Sequence, residues 1–195
     1  LSLYLLTFEQ GTAFGARYER GLLRGLPDAD TSAEMYVLTQ TLCNDHGFPG
    51  YEVSNHAKNG AISKHNMIYW TYGDYIGSGP GAHGRVTVHG EKIATTTPLM
   101  PAAWLEQVET QGSGDAWQQP VLDADQDVEK LLMGLSVYQG VDMTRLEKLP
   151  KNPRFFNNIN YLEELCLVET DCGTLRVTEQ GRPVLNAILR ELLID

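Results

Sequence analysis

A glycine-rich segment over residues 77–84 constrains the fold of this chain more than any other stretch. Its order is Gly-Ser-Gly-Pro-Gly-Ala-His-Gly, so that four glycines and Pro80 fall within eight residues. Small residues allow a backbone to bend tightly and to approach a ligand, and consecutive N–H groups can form an anion-binding nest. Pro80 removes one such donor and no helix is predicted directly after it, so that neither a dinucleotide fingerprint nor a P-loop is indicated. The segment predicts a tight bend at the end of a strand or a ligand contact there.

Charge and composition narrow the class of protein. The 195 residues include 25 Asp and Glu but 15 Lys and Arg, which gives a formal net charge of -10. Such an acidic chain has no general attraction for nucleic acids or anionic lipids, and we expect no nucleic-acid partner. No apolar run is long enough to cross a bilayer, and no signal peptide is visible. The three cysteines are few and scattered, which favours a reducing cytoplasm over a secreted disulfide scaffold.

The first 111 residues show the alternation of strands and helices that α/β proteins have. Residues 1–7 are mostly apolar and predict a buried strand, and a helix is predicted over about 31–45. Residues 51–54 predict a second strand, and residues 75–83 a third that leads into the glycine-rich bend. This order is typical of the closing units of a parallel α/β barrel, a partial TIM-like fold. A chain that opens in a buried strand is expected to be a piece of a longer protein, because such a strand needs neighbours.

The rest of the chain has a different pattern of predicted helices and strands. Residues 112–124 begin with Gly-Ser-Gly-Asp and predict a linker. Helices are predicted over about 125–138, 143–149, 154–166 and 179–193, with a hairpin around Asp171-Cys172-Gly173 before the last helix. This order predicts a small α+β domain over 125–195 that resembles a winged helix. We therefore expect an α/β part over 1–111 joined to an α+β part.

Winged-helix domains are common DNA-binding modules. The predicted helix over 154–166 contains Arg154 and three asparagines that could contact bases. Glu163, Glu164 and Glu169 follow, and the region as a whole is not basic. A nucleic-acid-binding module is therefore only the third hypothesis for this chain.

The segment from His65 to Trp70 is the strongest local candidate for a binding site. A His followed by Asn66, with Tyr69 and Trp70 four and five residues after it, could form a pocket with aromatic walls. Histidine is the usual protein ligand of haem iron, and aromatic rings could cover the flat apolar faces of a porphyrin. A single His beside aromatic residues is nevertheless more often a packed core or rim residue. On the residues alone, both interpretations remain open.

Taken together, these segments resemble a family of radical S-adenosylmethionine (radical-SAM) proteins that contains oxygen-independent coproporphyrinogen III oxidases and haem chaperones. The family's most distinctive block is similar to residues 65–70 and 73–84. Residues 2–15 and 50–57 resemble two units late in its barrel, and residues 125–195 resemble its C-terminal helical domain. The resemblance covers nearly the whole chain and implies closing β/α units of a radical-SAM barrel followed by a winged-helix-like domain.

The resemblance further implies the haem-chaperone branch of this family. A His-Asn-x-x-Tyr-Trp motif is associated there with haem binding and is absent from the true oxidases, and it is intact here. The inferred haem-binding residues are His65, Asn66, Tyr69 and Trp70. The residues expected in the vicinity of S-adenosylmethionine are Thr7, Gly79, Gly81, Ala82 and His83. Haem would then pass to haem-requiring respiratory proteins, and the alternative function is oxidative decarboxylation of coproporphyrinogen III by the full-length protein.

One feature of the family is missing from this chain. The family binds a [4Fe–4S] cluster through cysteines spaced Cys-x3-Cys-x2-Cys, and no two of Cys43, Cys166 and Cys172 have that spacing. Without the cluster there is no electron source for cleaving S-adenosylmethionine, so that the chain is not expected to be catalytic alone. The resemblance therefore implies the C-terminal portion of a longer protein that carries the cluster. Peripheral contact with membrane proteins and self-association through exposed sheet edges are left open.

Overall fold

The computed structural model describes residues 1–4, 8–115 and 117–193, apart from the side chain of Trp117. The chain forms two compact units, Leu1–Ile62 and Ser63–Asp195. The described residues contain seven α-helices and two three-stranded sheets, which confirms a mixed fold of helices and strands.

The first unit contains helices α1 (Ala13–Glu19) and α2 (Ala29–Asp45). Helix α2 confirms the helix predicted over about 31–45 but begins earlier, because the Asp28 carboxylate caps it. That carboxylate accepts the Thr31 N–H at 2.8 Å. The helix ends before Gly47, whose φ of 75° is the left-handed conformation usual after a helix.

The second strand predicted in this unit is a bend in which Glu52 alone forms an isolated bridge. Residues 51–54 bend back on themselves, and the Glu52 carboxylate accepts the Ser54 N–H at 2.9 Å. Local side-chain bonds of this kind compete with strand pairing. A single antiparallel bridge joins Ser2 to Asn55. Residues 5–7 of the predicted first strand lie outside the described residues.

The second unit opens with helix α3 (Lys64–Trp70) and an antiparallel sheet. The strands of this sheet, in spatial order, are β1 (His83–Val88), β2 (Glu91–Thr96) and β3 (Trp117–Pro120). His89 and Gly90 form the two-residue turn between β1 and β2, and both have positive φ, as the tightest hairpin turns require. Helix α4 (Pro101–Gln111) connects β2 to β3.

The strand predicted over residues 75–83 is wrong in its position. Only Tyr75 pairs there, in a single bridge to Arg85, and the regular strand begins at His83. Pro80 between two left-handed glycines interrupts the pairing. Both sheets in the described part of the chain are antiparallel, so that the expected parallel barrel strands are not seen there.

The domain limits predicted around residues 112–124 stay a prediction. Residues 113–115 are irregular, but β3 lies in the same stretch and pairs with β2. The compact units divide between Ile62 and Ser63.

Three helices and a second sheet complete the chain. They are α5 (Asp123–Ser136), β4 (Val141–Asp142), α6 (Pro153–Glu164), β5 (Val168–Asp171), β6 (Thr174–Val177) and α7 (Leu185–Leu193), with sheet order β4-β6-β5. The predicted amphipathic helix, the following helix and the hairpin are confirmed. The helix predicted over 143–149 is instead two 3₁₀ turns, Met143–Arg145 and Leu149–Lys151. The last helix begins later than predicted, after a 3₁₀ turn that contains Pro183.

Helix α5 lies at the centre of this region. The largest fully buried apolar side chains are Leu131, Leu135, Phe155, Leu175 and Ile188, and each such burial contributes about 1.5–3 kcal/mol. Buried Asp127 accepts the N–H groups of residues 147–149 at 2.5–3.0 Å. Buried Arg182 donates to the carbonyl oxygens of residues 135–137, where α5 ends. In the described part of the chain, no helix combines the length and apolar character needed to cross a membrane.

Candidate functional site

Helix α3 carries all four residues of the predicted binding motif. Ser63 caps this helix, because its Oγ accepts the Asn66 N–H at 3.2 Å. Helical spacing then places His65 and Tyr69 on one face, and Asn66 and Trp70 on the adjacent one. The structure therefore brings the motif residues together on two faces of one short helix.

His65 is exposed and lies beside two aromatic rings. Its Nε2 is 3.3 Å from the Tyr69 hydroxyl, and the two rings meet edge to face with centroids 5.0 Å apart. The Tyr69 ring in turn contacts Tyr75 at 4.6 Å. An accessible imidazole next to aromatic rings can bind a flat apolar ligand that carries a metal ion. Sequence reasoning missed Tyr75, because it lies beyond the helix and reaches Tyr69 only in the folded chain.

Asn66 and Trp70 differ from His65 in their surroundings. Asn66 Oδ1 accepts a hydrogen bond from the Ser63 hydroxyl at 3.1 Å, so that its amide is part of the helix cap. The indole Nε1 of Trp70 is buried and has no hydrogen-bond partner among the described residues. An unpaired buried donor costs about 1–3 kcal/mol. Trp70 therefore has hydrogen-bonding capacity that the described chain does not use.

The chain leaves α3 through a sharp turn at Tyr72. The Gly73 N–H donates to Ile68 O at 2.7 Å and the Tyr72 N–H to Tyr69 O at 2.9 Å, which is the Schellman pattern. Tyr72 has a φ of 59°, at the position where glycine is usual. A left-handed conformation costs a residue with a Cβ about 1–2 kcal/mol. Contacts of the Tyr72 side chain must offset that cost.

A network of charged side chains surrounds Tyr72. Its hydroxyl donates to Glu129 Oε2 at 2.6 Å, and Arg85 Nη2 donates to Glu129 Oε1 at 2.7 Å. Lys92 Nζ lies 4.7 Å from the centre of the Tyr72 ring and 2.6 Å from Asp74 Oδ1. The network therefore joins the end of α3 to β1, β2 and α5.

The network shifts the pKa values of its members. Burial, and then the hydrogen bond to Glu129, raises the pKa of Tyr72 well above its usual range. Burial alone would raise the pKa of Glu129, but hydrogen bonds from Arg85 and Tyr72 outweigh it and lower that pKa. The hydrogen bond from Lys92, and then a backbone N–H, lowers the pKa of Asp74 to about 2. At neutral pH both carboxylates are ionised and the phenol keeps its proton.

The glycine-rich segment forms the tight bend that the sequence predicts. Gly79 and Gly81 have φ values of 93° and 69°. The Gly81 N–H donates to Pro98 O, and the Ala82 N–H donates to Thr97 Oγ1, both at 2.8 Å. Because these two N–H groups already have acceptors, they are not free to form an anion nest.

The residues expected near S-adenosylmethionine lie partly in this bend. Gly79, Gly81 and Ala82 belong to it, exposed His83 begins β1, and Thr7 lies outside the described residues. Among the described residues, no hydrogen bond or ring contact joins this group to His65. Their role toward S-adenosylmethionine stays a prediction.

The cysteines do not fit an iron–sulfur cluster. Cys43 is buried in α2, whereas Cys166 and Cys172 are exposed, and all three are free thiols. Within residues 1–4, 8–115 and 117–193, no group of three or more His, Cys, Asp and Glu side chains is arranged to hold a metal ion. The described residues therefore do not supply a ligand set for such a cluster.

A second polar cluster lies in the first unit. Glu52, Asn55 and His56 are buried, and the Asn55 amide donates to the Glu52 carboxylate. The exposed fraction of Glu52 is 2%, so that its carboxylate does not face solvent. Burial lowers the pKa of His56, whose Nε2 lies 3.2 Å from Gln40 Oε1. These contacts give the cluster a structural role in the turn after α2.

Comparison with curated proteins finds relatives that match this chain from end to end. It is 37% identical, over 203 residues, to mouse radical S-adenosyl methionine domain-containing protein 1, mitochondrial, with 99% of this chain and 46% of the relative covered. It is 30% identical to the haem chaperone HemW of Bacillus subtilis, covering 98% of this chain and 50% of that protein. The HemW of Escherichia coli is also 30% identical, with 100% and 50% covered. The chain therefore spans about half the length of the curated relatives it matches, and no family model matches it.

A solved structure with a similar fold is the coproporphyrinogen III oxidase HemN of Escherichia coli, a radical-SAM enzyme. The TM-score is 0.66, and the match covers 92% of this chain and 44% of HemN. The two sequences are 15% identical, so that this similarity concerns the fold alone. The homologues of this chain are thus radical-SAM domain proteins and HemW haem chaperones, which confirms the resemblance seen in the sequence.

Proposed function

We propose that this chain is the haem-binding part of a haem chaperone, which passes haem to haem-requiring respiratory proteins. The observation that carries the proposal is the exposed imidazole of His65 beside the rings of Tyr69 and Tyr75. Relatives named haem chaperone HemW, which match the chain over nearly its whole length, support it. Haem is here the cargo of the protein and not a resident cofactor.

The contact between His65 Nε2 and the Tyr69 hydroxyl is compatible with either tautomer of the imidazole. If Nε2 carries the proton and donates to the phenolic oxygen, Nδ1 presents its lone pair. Metal-binding histidines usually donate their other ring N–H in this way, which orients the ring. We therefore assign Nδ1 as the atom that binds haem iron and Tyr69 as the residue that orients the imidazole.

The other motif residues would have supporting roles. Tyr69 and Tyr75 would cover part of one apolar porphyrin face. Asn66 would stabilise the start of α3 through the Ser63 cap. Trp70 would shape the pocket wall with its indole ring, whose buried N–H has no partner among the described residues.

In the full-length protein we assign a second ligand site, for S-adenosylmethionine, to the vicinity of the glycine-rich bend. The residues concerned are Thr7, Gly79, Gly81, Ala82 and His83. Cluster ligands would come from the part of the protein that corresponds to the unmatched half of its relatives. A cytoplasmic location, contact with membrane proteins and self-association stay predictions.

The finer fold assignments are proposals as well. The order α5, β4, α6, β5, β6 supports a winged-helix-like domain, and the similarity to HemN supports closing units of a radical-SAM barrel. Glu163, Glu164 and Glu169 around the end of α6 argue against a nucleic-acid partner for that domain.

Haemin titration tests the role of His65. We expect a shift of the Soret band for the wild-type protein and none for His65→Ala. His89→Asn is a matched control, because it removes an exposed imidazole where Asn tolerates the positive φ. Equal haemin binding by wild type and His65→Ala would refute the assignment. Decarboxylation of coproporphyrinogen III by the full-length protein would favour the alternative function instead.

A further inference from the structure

We propose that Glu129, together with Tyr72 and Arg85, positions helix α3 for ligand binding. This inference rests on the proposed function, since the ligand would bind at His65 at the other end of α3. Glu129 lies on α5 and makes no contact with the exposed face of the motif in the described structure. It would therefore act through the residues that it orients, as a positioning residue.

The first line of support is the backbone conformation of Tyr72. This residue lies two positions after Trp70, and its left-handed φ of 59° is unfavourable for a residue with a Cβ. Glycine at this position would relieve the strain but would leave Glu129 without the phenolic hydroxyl at 2.6 Å. The conformation is thus explained by what the side chain does: it attaches the last turn of α3 to α5.

The second line of support is that Arg85 has two contacts leading to the same site. Its guanidinium donates to both oxygens of Glu129, with Nη2 at 2.7 Å from Oε1 and Nε at 3.2 Å from Oε2. Its backbone pairs with Tyr75 in both directions, at 2.7 and 2.9 Å. Tyr75 packs on Tyr69, which contacts His65. The Glu129 carboxylate therefore orients the rings of Tyr75, Tyr69 and His65 through Arg85. It also orients the end of α3 through Tyr72.

Further bonds secure the chain that follows α3. Arg145 Nη2 donates to Thr71 O at 3.2 Å. Asp74 accepts the Thr87 N–H at 2.7 Å and the Lys92 ammonium at 2.6 Å. These bonds maintain the local fold when the Glu129 bonds are weakened. Loss of Glu129 is therefore expected to change the orientation of α3, whereas the helix itself still forms.

Haemin titration of network variants tests this inference. We expect Glu129→Gln and Tyr72→Phe each to bind haemin about tenfold more weakly, the loss expected for one charge-assisted hydrogen bond. The double variant should bind no more weakly than Glu129→Gln alone, because Tyr72→Phe removes only one of the bonds that Glu129→Gln already weakens. Glu91→Gln, a carboxylate at the start of β2 outside this network, should bind like the wild type.

Tyr72→Gly separates a positioning role from a purely structural one. This variant removes the backbone strain and the hydrogen bond to Glu129 together. The midpoint of thermal unfolding should therefore change little, while haemin binding weakens about tenfold. The Soret band of the bound form should also shift relative to wild type, since the imidazole would approach the iron in another orientation. A core variant such as Ile188→Val should lower the midpoint without either effect.

The outcomes distinguish this inference from the proposed function. If the wild-type protein and His65→Ala bind haemin equally, the proposed function fails and the positioning role fails with it. If His65→Ala alone loses binding, while the Glu129 and Tyr72 variants retain wild-type affinity and Soret position, only the positioning role is refuted. Weaker binding by those variants that merely parallels their loss of stability would refute it as well.

Discussion

Asp127 provides the strongest test of how the C-terminal region is stabilised. Its carboxylate is fully buried in α5, and Oδ2 accepts the N–H groups of Glu147, Lys148 and Leu149 at 2.7, 2.5 and 3.0 Å. Lys130 Nζ lies 3.5 Å from the other oxygen. One side chain therefore satisfies three backbone donors in the segment that leads from β4 to α6.

The cost of removing this carboxylate can be worked out from its partners. Asp127→Ala leaves three N–H groups without an acceptor in a part-buried place, and a buried unsatisfied donor costs about 1–3 kcal/mol. Some of the three will reach water as the segment relaxes, so that we expect a loss of about 3–5 kcal/mol in the free energy of unfolding. Asp127→Asn keeps one acceptor oxygen but loses the charge, and we expect about 1–2 kcal/mol.

Urea unfolding followed by far-ultraviolet circular dichroism measures these losses. Asp125→Ala is the matched control, because Asp125 is exposed in the first turn of the same helix and contributes only about 0.3–1 kcal/mol through the helix dipole. If Asp127→Ala unfolds within 1 kcal/mol of this control, the reasoning from buried hydrogen bonds is refuted.

Two further predictions concern the second unit. Because the pKa of Asp74 is lowered to about 2, its bonds to Lys92 and Thr87 stabilise the fold above about pH 4 and are lost as the pH falls toward 2. The urea midpoint of Asp74→Asn should therefore change less than that of the wild type over this interval. Gly134→Ala would place a Cβ 2.6 Å from Val141 Cβ, and the resulting overpacking of about 1–3 kcal/mol should exceed the gain in helix propensity of about 1 kcal/mol. An unchanged or higher urea midpoint would contradict that expectation.

Much of the C-terminal region was predictable because its patterns are local. Apolar spacing predicted α5 and α6, and turn residues between two β-prone runs predicted the hairpin of β5 and β6. The β1–β2 hairpin was missed, although Val86, Val88 and Ile93 alternate with polar residues on either side of His89-Gly90. Its turn, His89-Gly90, is not one of the common Asn-Gly or Asp-Gly pairs, so that the local signal for a hairpin is weak.

Two strand predictions failed for a shared physical reason. Residues 51–54 and 75–83 contain β-prone side chains, but local bonds and left-handed glycines there favour a turn and a bend. The β-propensity of a residue describes how well its side chain fits a pleated, half-buried surface. It does not include such competing hydrogen bonds. Parallel pairing expected from the α/β pattern is a proposal for the full-length protein and is not seen in the described residues.

The order of residues was enough to indicate the family resemblance and the candidate binding motif, because the spacing from His65 to Trp70 places the motif on one helix. The surroundings of that motif depend on how the chain folds. The fold brings Tyr75 to Tyr69, brings Glu129 to Tyr72 across 57 positions, and gives acceptors to two N–H groups of the glycine-rich bend. Contacts between residues far apart in the sequence depend on how the helices and strands pack, and no local periodicity of the sequence predicts them.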